Sequence, residues 1–219
     1  MKIFLDTADR KAIKTWLAMG IIDGITTNPS HLSKEGGDPT KVVQDICQML
    51  GDRDVSVEIT EIEPQKVYEQ ALKIADIAEN VIVKVPCHEN YYEVIKRLVK
   101  EGVKINVTLV FTLVQGMFMC KLGVRYISPF IGRWDDIDVE GIDLLYEMRT
   151  MVDQYEFDTQ ILAASIRHVR HLHDAIMAGV DVVTVPLDVL EKSVNHPLTD
   201  RGMEKFLADW QKLGIKQFP

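Results

Sequence analysis

Short runs of β-branched and other apolar residues recur along the chain about every 20 to 30 residues. Each is followed by a longer segment whose apolar positions fall three or four apart. The runs predict strands at Ile3–Asp6, Gly24–Thr26, Val55–Ile59, Val81–Val85, Lys104–Val110, Tyr126–Phe130, Gln160–Ser165 and Val182–Val185. Segments such as Ala8–Met19, Thr40–Leu50, Pro64–Ala78 and Asn90–Glu101 predict the intervening helices. Gly102, Gly123 and Gly179 each stand after a helical run and before a strand, where a left-handed residue closes a helix without steric penalty. Strand and helix alternating in this way build parallel βα units. Eight such units predict an α/β fold, a closed (β/α)8 TIM barrel. An open doubly wound sheet is the alternative that counting alone leaves standing.

The faces of the strands favour closure. Alternate residues share a face, and one face is apolar: Ile3 and Leu5, Val55, Val57 and Ile59, Val81, Val83 and Val85, and Ile161. That face is expected to pack on helices. The other carries Asp6, Thr26, Glu58, Lys84, Asn106, Thr108, Ser128, Ser165 and Thr184, a polar residue near the C-terminal end of each strand. Such a set is satisfied where the side chains converge, which a barrel provides at its C-terminal mouth. After the eighth strand a C-terminal helix is expected over about residues 197–213, with Met203, Phe206, Leu207, Trp210 and Leu213 in a stripe. That stripe has no ninth strand to cover, and it is expected to fold onto its own barrel or onto a neighbouring subunit.

Length and composition fit this picture. With 219 residues, the chain is read as one domain over 1–219; 47% of residues are apolar and 26% charged. The first ten residues include Asp6, Asp9 and Arg10, which excludes a secretory signal there, and no run approaches about 18 apolar residues, so a cytoplasmic protein without membrane segments is expected. The net charge is −8 with basic residues scattered, which argues against nucleic acid as a partner. Cys47, Cys87 and Cys120 stand singly and read as reduced thiols.

Lys84 interrupts the otherwise apolar Val81-Ile82-Val83-Lys84-Val85-Pro86. Desolvation disfavours an ammonium and so favours the neutral amine that attacks a ketone carbonyl. The alternative is a structural ion pair with Asp6 or Glu58. Those two carboxyls could equally serve as acid and base in Schiff-base chemistry, one protonating the departing hydroxyl of the carbinolamine and one taking the proton of a substrate hydroxyl. Asn28, before Pro29, fits a helix cap and could also bond a substrate hydroxyl. Arg133 and Arg167 follow the sixth and seventh strands and could clamp a terminal phosphate, or could be solvated loop arginines answering Asp135, Asp136 and Glu140. His168, His171 and His173 raise the question of a metal, but their spacing and position read better as a solvated helix face. Met117, Phe118 and Met119 read as core filler.

Six segments, each at or beside a strand end, together resemble the short-chain branch of the transaldolase family, which includes the fructose-6-phosphate aldolases. They are Phe4–Ala8, Gly24–Ser30, Val83–Pro86, Asn106–Phe111, Ser128–Arg133 and Ala163–Arg167. The resemblance implies transfer of a dihydroxyacetone unit between sugar phosphates, from sedoheptulose 7-phosphate to glyceraldehyde 3-phosphate, giving erythrose 4-phosphate and fructose 6-phosphate. By similarity Lys84 is the Schiff-base lysine, Asp6 and Glu58 the acid–base carboxylates, and Thr108 the hydroxyl positioning the catalytic water. It makes Thr26, Asn28, Asn106, Ser128 and Phe130 residues of the dihydroxyacetone pocket, and Arg133, Ser165 and Arg167 the phosphate site. No metal or organic cofactor is implied, and a homo-oligomer, a pentamer or decamer, is. The aldolases of the branch carry glutamine and tyrosine where this chain has Glu58 and Phe130, so transfer is expected ahead of the alternative lyase reaction. A phosphosugar-binding barrel without turnover is the remaining reading, opposed by the complete set of Asp6, Glu58 and Lys84. Ile166, where phenylalanine is usual, is a local departure.

Overall fold

In the computed structural model, which describes residues 1–214, eight parallel strands close into a barrel in chain order, β1 to β8. The last five residues of the expected 1–219 domain lie outside the described ones. The elements run β1 (Lys2–Asp6), α1 (Arg10–Ala18), β2 (Gly24–Thr26), α2 (Pro29–Glu35), α3 (Pro39–Leu50), β3 (Val55–Glu58), α4 (Pro64–Ala75) and β4 (Val81–Pro86). They continue α5 (Tyr92–Lys100), β5 (Ile105–Val110), α6 (Leu113–Leu122), β6 (Tyr126–Pro129), α7 (Ile131–Asp135) and α8 (Asp143–Gln154). The chain ends β7 (Gln160–Ala163), α9 (Val169–Met177), β8 (Val182–Pro186), α10 (Leu187–Val194) and α11 (Pro197–Lys212). Closure between β1 and β8 removes the open-sheet alternative. Among the described residues no helix is long and apolar enough to cross a membrane.

The apolar strand face packs outward on the helices as expected: Leu5, Val55, Val57, Val83, Val85 and Ile161 belong to one buried cluster with the inner faces of the helices. The inward face has two storeys. Near the N-terminal end Phe4, Ile82, Tyr126, Leu162 and Val182 fill the barrel axis, and the Tyr126 hydroxyl donates to Asp54 at 2.6 Å, while Asp54 also binds Arg125 at 2.8 Å. This plug sets a floor beneath the polar residues above it. Gly24 enters the barrel so close to the plug that a Cβ would lie 2.5 Å from the Phe4 ring and 2.7 Å from the Asp54 carbonyl.

The structure shifts several strand ends by one residue, the third stopping at Glu58 rather than Ile59 and the fourth and eighth running on to Pro86 and Pro186, and it changes the chain path at two others. The seventh strand stops at Ala163 rather than Ser165, because Ser165 is left-handed (φ 61°) and turns the chain out of the sheet. The sixth stops at Pro129, and Phe130 becomes the residue preceding α7. Between β5 and β6 the register shifts, with Leu109 at φ 57°, a bulge that re-aims the strand end next to Thr108. Gly102, Gly123 and Gly179 have the left-handed φ expected of them. Phe118, read from sequence as core, is instead exposed and meets Tyr92 edge-on, because α6 turns only Gly116, Met119 and Cys120 fully inward. No residue of α11 is buried: Leu198, Met203, Phe206 and Leu207 all face solvent, so this helix does not fold onto its own barrel.

Candidate active site

The C-terminal ends of the strands bring nearly all the polar candidates to one mouth. Lys84 extends from the middle of β4, where Val83 and Val85 on either side hold the strand against the helices. Its Cα is paired in register with that of Glu58 on β3, and Nζ lies 3.0 Å from a Glu58 carboxylate oxygen and 3.4 Å from the Thr27 carbonyl. Lys84 is only 7% exposed. The ion pair that the sequence allowed is therefore present with Glu58 rather than Asp6, and it leaves a carboxylate oxygen within hydrogen-bond reach of the amine nitrogen.

Asp6 stands across the mouth. It accepts the Thr26 hydroxyl at 2.8 Å, and Thr26 in turn shares a hydrogen bond with Thr184. A residue that sequence reasoning did not single out, His31, brings Nε2 to 3.6 Å from the same Asp6 oxygen. Burial by itself would raise the Asp6 carboxyl, but the contact with His31, the charges of Lys84 and His31, and the Thr26 hydroxyl together hold it below the ordinary carboxylate value. Nothing in the local sequence marks His31, since its proximity to Asp6 arises only when α2 is seated on the barrel rim.

A cavity of about 420 Å³ opens above Lys84 and Asp6, with Thr26, Asn28, Phe130 and Thr184 in its walls. Asn28 is both things the sequence allowed: its side chain accepts from the His31 backbone N–H and caps α2, and it lines the cavity. Asn106, Thr108 and Ser128 are fully buried and lie outside the cavity lining, as does Glu58. Ser128 donates to Asn106 at 2.7 Å, and Asn106 donates to Ser56 at 3.2 Å. Among the described residues the buried Thr108 hydroxyl has no hydrogen-bond partner, an orphan of the kind that a bound water satisfies.

The far end of the cavity is formed by Arg133, Ser165, Ile166 and Arg167. Arg133 holds its guanidinium 5.1 Å above the Phe130 ring, which itself meets Phe111 edge-on. Arg167 pairs with Asp136 at 2.9 Å with both side chains at least half exposed, a contact worth about 1 kcal/mol at most and readily exchanged for an anionic ligand. The two arginine segments are joined through Gly132, whose N–H donates to the Ser165 carbonyl at 3.1 Å. A Cβ there would lie 2.2 Å from that oxygen and 2.6 Å from Arg167 Cγ, so only glycine fits. Pro186, Asp188 and Val189 complete the wall and carried no signal in the sequence.

The histidine cluster is not the solvated helix face expected for it. His168 and His173 are exposed, but His171 is buried and bonded to Asp135. Donor atoms of Asp135, His168 and His171 fall within 4.8 Å of one another. Both rings, however, accept backbone N–H groups through Nδ1, His168 from His171 and His171 from Arg167. The proton of each neutral ring then sits on Nε2, so an ion would gain a lone pair only at the loss of a backbone bond. The His171 link instead ties the Arg167 loop to α7.

With this geometry in place, comparison with known proteins is informative. The sequence profile of the family described as Transaldolase/Fructose-6-phosphate aldolase matches residues 3–217. The chain belongs to that family. A probable transaldolase of Methanococcus maripaludis strain C7 is 43% identical over 211 residues, covering 96% of this chain and 98% of the relative. One of Chelativorans sp. strain BNC1 is 45% identical over 216 residues, 99% of each. The thiamine phosphate pyrophosphorylase of Pyrococcus furiosus superposes with a TM-score of 0.56 over 84% of this chain and 85% of its own, at 16% identity, a likeness of barrel fold alone. Ile166 is a buried side chain that lines the cavity beside Ser165 and Arg167.

Proposed function

We propose that the chain is a transaldolase that carries dihydroxyacetone between sugar phosphates on Lys84. The observation that carries the reading is a buried lysine, 3.0 Å from Glu58, beneath a cavity whose far end holds Arg133 and Arg167. The neutral amine adds to the ketone carbon of fructose 6-phosphate or sedoheptulose 7-phosphate, and the carbinolamine hydroxyl leaves as water when an acid protonates it. Glu58, beside the nitrogen, is placed for these proton transfers, with the orphan Thr108 hydroxyl suited to hold the water. Asp6, in the cavity wall, takes the proton of the substrate hydroxyl as the carbon–carbon bond breaks. An aldehyde phosphate departs, the enamine stays on Lys84, and an acceptor aldehyde reverses the sequence.

Transfer is favoured over simple cleavage by Phe130, whose ring supplies neither acid nor water to the enamine carbon. No step in this scheme draws on a metal or organic cofactor. Self-association belongs to the same reading: among the described residues the apolar side chains of α11 and, on another face, Val114 and Tyr146 beside half-buried Leu113 and Met117 are exposed, and a second copy of the chain buries both surfaces.

Incubation with fructose 6-phosphate and borohydride tests the reading. A reduced adduct should map to Lys84 and vanish in Lys84→Arg, and aldehyde phosphate should be released much faster with erythrose 4-phosphate than without it. An adduct elsewhere removes the mechanism, and equal rates with and without acceptor replace the transferase with a lyase.

A further inference from the structure

Asp6 has a neighbour that the reaction scheme does not use. His31 is the second residue of α2 after Pro29, its backbone N–H is capped by Asn28, and its ring reaches back over the rim toward β1. Nε2 comes to 3.6 Å from Asp6 Oδ1, the oxygen that also accepts the Thr26 hydroxyl. The ring is 26% exposed and so open to solvent, and it stands outside the cavity lining.

We propose that His31 is a positioning residue whose charge state sets the basicity of Asp6, so that the carbon–carbon cleavage step is tuned by an imidazole at the rim. This rests on the assignment of Asp6 as the base in the reaction above.

Imidazole is the side chain that ordinarily changes charge between about pH 5 and 8. A cation less than 4 Å from a carboxylate oxygen in a partly desolvated site stabilises the anion and weakens it as a base; loss of that cation strengthens it. The other charges around the pair do not duplicate the effect. Lys84 acts on Asp6 from β4 but is held by Glu58 on β3. Lys34 and Glu35 follow on α2, and Arg10 of α1 pairs with Glu35 at 3.9 Å and with Asp45 of α3 at 2.8 Å. Lys41 of α3 is likewise held by Asp45 at 3.0 Å. Among the described residues, that leaves the His31 imidazole as the ring in contact with Asp6. Thr26 remains bonded to the carboxylate in either state, so the switch changes its proton affinity without releasing its orientation.

Two substitutions separate charge from packing. His31→Gln keeps a polar side chain of similar reach without a titrating charge, and His31→Lys keeps a cation across the whole range. In the native protein kcat for transfer should rise roughly three- to tenfold as pH increases from about 5 to 8. In His31→Gln the profile should be flat near the upper rate, and in His31→Lys flat near the lower one, with KM changed less than about twofold because His31 does not line the cavity.

The Asp6 carboxyl, followed by carbon-13 NMR, should titrate at higher pH in His31→Gln than in His31→Lys. Native-shaped profiles in both variants, or losses that are parallel at all pH values, overturn the proposal. The carboxyl titration decides the coupling even if the native protein fails the borohydride test, and that failure would count against the Lys84 mechanism instead.

Discussion

Glu58 and Lys84 are register partners on adjacent parallel strands, and their side chains meet at 3.0 Å inside the barrel mouth. Because the pairing is set by backbone hydrogen bonds, the carboxylate is delivered to the amine by the sheet itself rather than by a loop. Glu58→Gln keeps the shape and removes the acceptor. It should lower kcat about 10²- to 10⁴-fold, the range for loss of a general acid–base, with Lys84 still trapped by borohydride on long incubation. Single-turnover rates of adduct formation check this, and an unchanged rate would place the proton transfer elsewhere.

Arg133 and Arg167 form one end of the cavity, and Arg167 gives up only a surface pair to bind there. Replacing either by Ala should weaken phosphorylated substrates by about 1.5 to 3 kcal/mol, roughly 10- to 150-fold in KM, and leave free dihydroxyacetone nearly unaffected. Equal losses for both kinds of substrate would make these residues supports of the fold.

Phe130 lines the cavity and its ring seats the Arg133 guanidinium; in the proposed reaction the same ring separates the enamine carbon from acids and water. Phe130→Tyr places a hydroxyl at that point, so acceptor-free release of dihydroxyacetone should rise while transfer to erythrose 4-phosphate falls. Following glyceraldehyde 3-phosphate with and without acceptor reads both rates from one preparation. Unchanged partitioning would remove Phe130 as the determinant.

His171 gives a stability test at the same rim. Burial lowers its imidazole below the ordinary 6.5 even though Asp135 opposes the shift. The unfolded chain therefore binds more protons than the folded one as pH falls below that value, and this contribution to stability, present above 6.5, is lost on acidification through the folded value. The thermal midpoint should drop more between about pH 7.5 and 5.5 in the native protein than in His171→Gln. Parallel drops would assign the pH dependence to other groups.

What was legible in the sequence was what periodicity and residue type encode. The inward polar set and outward apolar set on β1, β3 and β4 are written as simple alternation, and from them the barrel, Lys84, Asp6 and Glu58 follow. The turn at Ser165 and the bulge at Leu109 were not legible, because both are left-handed backbone at residues other than glycine, held by surroundings assembled from distant segments. His31 and His171 were missed or misread for the same kind of reason. Their roles depend on Asp6 and Asp135, which are 25 and 36 residues away in sequence and come close only through the packing of α2 and α9 on the rim. The apolar plug of Phe4, Ile82, Tyr126, Leu162 and Val182 shares the face of the polar set one storey below, where alternation says inward but not how deep.

The close approach at Gly132 makes the anion end of the cavity a single rigid piece, since the segments bearing Arg133 and Arg167 cannot slide past one another without a clash. Lys84 is equally fixed at the other end by its strand. In the proposed reaction both ends of the span between them stay put, so six- and seven-carbon ketose phosphates have to meet it by bending their own chains rather than by moving the protein. A variant meant to change which chains are accepted would have to alter a backbone connection rather than widen a pocket.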